Sequence, residues 1–116
     1  MNQRPSNIEL AKKFKTFRLS GQHEAAAEMI TEDAYAIPPI SMFGEMHGRD
    51  KIKQFWIDHY DENQEVTFEE PEVEGHNGVL IKGTMKKLFM NWDTELRLTF
   101  TADGKICKLQ MNISLF

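Results

Sequence analysis

Proton transfer near neutral pH needs an imidazole or a carboxylate held against a second polar group, and the sequence offers four imidazoles: His23, His47, His59 and His76. His59 closes a segment of helical spacing and Tyr35 stands on a short extended run, so these two form the candidate acid–base pair. A lone histidine on an amphipathic helix is more often a surface or capping residue, and His47 lies in a loop between Gly44 and Gly48. The histidines lack metal-ligand spacing and Cys107 has no partner thiol, so no metal and no cofactor is expected. No Gly-rich phosphate loop, nucleophile elbow or Cys–His signature occurs. Cys107 reads as a small apolar packing residue.

The other chemistry within reach is apolar binding. Tyr35, His47, Trp56, His59 and Trp92 would set a phenol, two imidazoles and two indole donors around a greasy cavity, with Phe14, Phe17, Ile37, Phe55 and Met111 completing the wall. Seven methionines are a high count for this length, and methionine fills irregular gaps and adapts to varied guests. The connection Ile40–Met46, with Met42, Phe43 and Met46, is unusually apolar and reads as a lid or a partner contact.

These groups need elements to hold them. Ser6 followed by Glu9 is a capping box that starts a helix, in which Ile8, Leu10, Ala11, Phe14, Phe17 and Arg18 recur near the 3.6-residue period. Ser20-Gly21 suits a helix stop, Gln22 to Ile30 restarts a helix through three alanines, and Ala34–Ile37 is a short strand closed by Pro38-Pro39. After a loop, Asp50–Tyr60 is the third helix. From Gln64 the period moves toward two, which predicts strands at Gln64–Glu74, Val79–Met90, Trp92–Thr101 and Lys105–Leu115, joined as an antiparallel meander. Pro71 and Gly83 should bend it. Cys107, Leu109, Met111, Ile113 and Leu115 share one face of the last strand, and Trp92, Thr94, Leu96, Leu98 and Phe100 one face of the strand before. These faces are expected inside, with the charged residues turned out. The acidic run Glu65 to Glu74 reads as cross-strand pairing with Lys82, Lys86 and Lys87.

At 116 residues, 41% hydrophobic and 28% charged, the chain suits one globular domain over 1–116. A net charge of -4 opposes phosphate backbones and anionic lipid, so neither nucleic acid nor membrane is an expected partner. No run approaches the roughly 18 apolar residues that span a bilayer. Neither leader nor anchor is visible, and a lone cysteine fits a reducing compartment, so the expected location is cytoplasmic.

The order of helix, Ser20-Gly21, alanine-rich helix, Glu32-Asp33-Ala34-Tyr35, Pro38-Pro39, Gly48-Arg49-Asp50-Lys51-Ile52, Phe55-Trp56 and long strands with Asp103-Gly104-Lys105-Ile106 resembles the nuclear transport factor 2-like superfamily, its SnoaL-like branch most. That resemblance implies an α+β fold: three N-terminal helices packed in the concave face of a strongly curved, mainly antiparallel sheet, a cone-shaped, cystatin-like α+β barrel. It also implies a pocket between helices and sheet, and a homodimer through the outer sheet face. Ketosteroid isomerases of this fold use a tyrosine on the first helix and an aspartate after the first strand. Registering on Gly21 and on Asp33-Ala34 puts Phe14 and Pro38 there, so that activity is not expected.

The expected function is binding of a small apolar or aromatic ligand in a conical pocket. Two alternatives stay open: a lyase, isomerase or hydrolase using His59 with Tyr35, and a protein–protein interaction module through the sheet face with Glu69, Lys86, Arg97, Lys108 and Gln110.

Overall fold

Helix α1 (Asn7–Leu19) begins where the capping signal places it, the Ser6 hydroxyl accepting from the Glu9 amide at 3.2 Å. The structure is a computed structural model that describes residues 5–38, 44–63, 65–87 and 89–115. Gly21 ends the helix at φ 72°, and a Cβ there would strike the Tyr60 ring, so glycine is required twice over. Helix α2 (His23–Ala27) is shorter than predicted because Ile30 already belongs to strand β1 (Ile30–Ile37). The β-branched pair Ile30-Thr31 favours the pleated surface, and Ile30 is held opposite Ile106. Helix α3 (Arg49–His59) is anchored to that point, since Arg49 donates twice to the Ile30 carbonyl at 3.1 and 2.7 Å.

The remaining strands are β2 (Met46–His47), β3 (Glu65–Phe68), β4 (Glu72–Glu74), β5 (Gly78–Lys87), β6 (Met90–Phe100) and β7 (Ile106–Leu115). They form one curved, open sheet of order β2-β1-β7-β6-β5-β3, with β4 also paired to β5. Among the described residues all pairs are antiparallel except β1 with β7, so the mainly antiparallel α+β architecture stands with one parallel junction added. The predicted strand Gln64–Glu74 is two strands parted near buried Pro71, which has no amide to give the ladder. Gln64 itself lies outside the described residues. Met46–His47, predicted as loop, pairs with β1; two residues carry no readable period. Of the predicted charge pairs, Glu65 stands opposite Lys86 and Glu72 meets Lys82 at 3.7 Å.

Register assigns the faces. Val79, Ile81, Leu98, Phe100 and Ile106 are nearly or fully buried on the concave face against Ala11, Phe14, Ile52 and Trp56. A bulge between Thr99 and Phe100 sets Lys108 opposite Thr99 but Ile106 opposite Phe100. Alternation had placed Ile106 outside with Lys108; the bulge turns it inward, fully buried, and leaves Cys107 as the extra residue, half-buried with its Sγ 3.5 Å from the Thr99 carbonyl.

Candidate functional site

Burial along the concave face runs in a gradient. At the end formed by Val79, Ile81, Leu98, Phe100 and Ile106 the exposures are 0%, 0%, 1%, 3% and 0%. Toward the other end of the same strands Met85, Trp92, Met111 and Ile113 are only half-buried, as are Val66 and Phe68 of β3. Register puts all of them on the inner side, so the sheet and helices close tightly at one end and leave apolar side chains accessible at the other. Thr94 sits between. It is 4% exposed, and among the described residues its Oγ1 has no hydrogen-bond partner, a polar atom on the apolar inner face.

The helices supply the opposite wall. Phe14 meets Trp56 edge-on with ring centroids 5.7 Å apart, and the Arg18 guanidinium lies over the indole at 4.4 Å. Burial pushes Arg18 down to about 10, which the nearby Tyr60 phenol partly offsets. Tyr60 donates to the Leu19 carbonyl at 3.3 Å and stands edge-on to His23 at 5.2 Å, which ties the ends of α1 and α3 together. His23 has a buried Nδ1 without a hydrogen-bond partner among the described residues, and burial followed by the Arg18 charge lowers its pKa.

The predicted site residues divide. Phe14 and Trp56 are buried in the core, with Phe17, Met46, Phe55 and Met111 packed partly against it, and Trp92 joins them on the concave face. Tyr35 and Ile37 lie on the outer face, because they pair with Lys108 and Gln110 of β7. There the Tyr35 ring stacks on His47 at 5.7 Å, with the Lys108 ammonium 5.5 Å from its centroid. His47 is exposed beside Glu45. His59 is exposed on the last turn of α3, its ring stacked on Phe55 at 4.2 Å and its Nδ1 directed at the Phe55 carbonyl at 2.9 Å. The structure does not join Tyr35 to His59: one lies outside the sheet, the other at a helix end. Met42 and Phe43 lie outside the described residues. A separate cleft at the start of α1, lined by Pro5, Ser6, Ile8, Val73 and His76, contains none of these residues.

Sequence reasoning missed two groups. Arg18 was placed on the buried face by the helical period, four residues after Phe14, but was not named among the site residues. Thr94 sat in the apolar alternation without distinction. No helix among the described residues is long and apolar enough to cross a membrane.

The arrangement of helices in the concavity of this sheet recurs in solved structures. An NTF2-like protein of unknown function from Cytophaga hutchinsonii is 15% identical, with a TM-score of 0.74 over 98% of this chain and 95% of that one. The fold is the nuclear transport factor 2-like fold. An NTF-2 like protein of unknown function from Burkholderia xenovorans is 16% identical with a TM-score of 0.78, covering 93% of this chain and 83% of that one. A putative ketosteroid isomerase from Kribbella flavida also gives 16% and 0.78, covering 93% and 77%. No protein-family model matches the sequence, and no curated protein matches it. At such identities the likeness carries the nuclear transport factor 2-like fold and leaves the chemistry to the residues.

Proposed function

We propose that this chain binds a small apolar or aromatic molecule at the open end of the concave face. The burial gradient carries the reading: Met85, Trp92, Met111 and Ile113 stay accessible on a face whose other end is dry, and the unpartnered Thr94 hydroxyl lies at the boundary. A concave apolar surface with few polar groups is the usual make-up of a small-molecule site. Binding is preferred over catalysis because Tyr35 and His59 are not brought together, and Phe14 and Pro38 offer no hydroxyl or base. Self-association through the outer face is proposed alongside, supported by half-buried Tyr35 and Ile37 among its charged residues.

The test is titration with the neutral aromatic 2-naphthamide, followed by the fluorescence of Trp56 and Trp92. Saturable quenching, with a melting temperature that rises with probe concentration, is expected, since a ligand at a hundred times its Kd adds about 2.7 kcal/mol. Ile113→Trp, which fills the open end, should abolish it. Quenching that never saturates, or binding that Ile113→Trp leaves intact, refutes the site.

A further inference from the structure

Arg18 is a half-buried cation on the core side of α1, with no anion beside it among the described residues. Among the described residues its guanidinium makes no hydrogen bond and no ion pair; its contact is the Trp56 ring, 4.4 Å away. Arginines drawn into an interior are ordinarily paired, because desolvating the charge costs several kcal/mol. Stacking on an indole satisfies only the face of the guanidinium. The five N–H donors lie in its plane and remain available as a fork.

The groups that face Arg18 make the gap plainer. Those that act on its charge or feel it are Tyr60 at the end of α3 and His23 at the start of α2, neither of them an acid at neutral pH. Trp56 is in turn held edge-on by Phe14, so the guanidinium rests on a fixed platform instead of a carboxylate. A planar fork held in place without its own counter-ion is preorganised for a planar anion.

We infer that the molecule bound in the cone is an organic acid, an apolar or aromatic body lying on the Met85, Trp92 and Met111 surface with its carboxylate on Arg18. This rests on the binding site proposed above and assigns its ligand class. Burial lowers the Arg18 pKa to about 10, at which it is still a full cation at neutral pH.

The experiment compares 2-naphthoate with 2-naphthamide, which share a ring and differ in charge. In the unaltered protein naphthoate should bind about tenfold tighter or more, the ordinary worth of a charge-assisted hydrogen bond. Its affinity should fall with added salt while that of the amide does not. Arg18→Met should bring the two probes to parity by weakening naphthoate alone, and Arg18→Lys should keep part of the preference. Equal affinities in the unaltered protein, or a preference that survives Arg18→Met, overturn the anion assignment and leave the cavity reading intact. Failure of both probes overturns both. Should Arg18→Met fail to fold, the salt dependence in the unaltered protein decides alone.

Discussion

Replacing Thr94 by valine isolates one atom. The row Gly83, Thr94, Ile113 crosses β5, β6 and β7, and within it the Thr94 Oγ1 is buried with no partner. Valine keeps the shape and exchanges the hydroxyl for a methyl. A buried hydroxyl left unsatisfied costs about 1–3 kcal/mol, so after allowance for imperfect packing Thr94→Val should stabilise the empty protein by about 1–2 kcal/mol. For a chain of this size that is a rise of about 4–8 °C in Tm. Urea denaturation gives the quantity directly: the midpoint should rise with an unchanged m-value. The same variant should bind a hydrogen-bonding probe such as 2-naphthamide more weakly, because the hydroxyl is the polar handle on that surface. A loss of stability in Thr94→Val would refute the reasoning, since it would mean the hydroxyl is already satisfied in the folded protein and is not held in reserve for a guest.

Two further outcomes are expected. The His23 pKa is lowered from 6.5 by burial and then by the Arg18 charge, so the unfolded chain takes up that proton first. Stability should therefore be level above that value and fall as pH drops through it toward the folded value. His23→Gln should flatten the slope, and melting curves between about pH 5 and 7 that stay parallel for the two proteins would contradict this. A Cβ at Gly83 would run into the Thr67 carbonyl and the Phe68 ring, both on β3. Gly83→Ala should thus lose more than about 2 kcal/mol in urea denaturation, and a neutral result would show that β3 yields without cost.

Much of the architecture was legible because it depends on local signals. The Ser6–Glu9 spacing located the first helix, and the alternation Trp92, Thr94, Leu96, Leu98, Phe100 named the inner face of β6 correctly. What failed depended on partners distant in sequence. Tyr35 is turned outward by its pairing with Lys108, which no pattern near Tyr35 encodes. Ile106 is inward because of a bulge, and a one-residue slip reverses every face assignment before it. Arg18 was placed in the helical pattern of the buried face, but its stacking on Trp56 depends on α3, which no pattern near Arg18 encodes. His59 fell where its spacing put it, at the end of α3, but exposed and directed at its own helix.

The parallel junction of β1 with β7 has a consequence for how the protein is made. A ribosome delivers α1, α2, β1 and α3 first, yet β1 acquires its long partner only when Ile106 to Gln110 have followed, after every other strand of the sheet. Until then Ala34, Ala36 and Ile52 have no dry surface to complete, and loop closure over so long a separation is slow. Closure of the helical half on the sheet accordingly waits on β7, and until that strand is paired the apolar inner face of β1 stays uncovered.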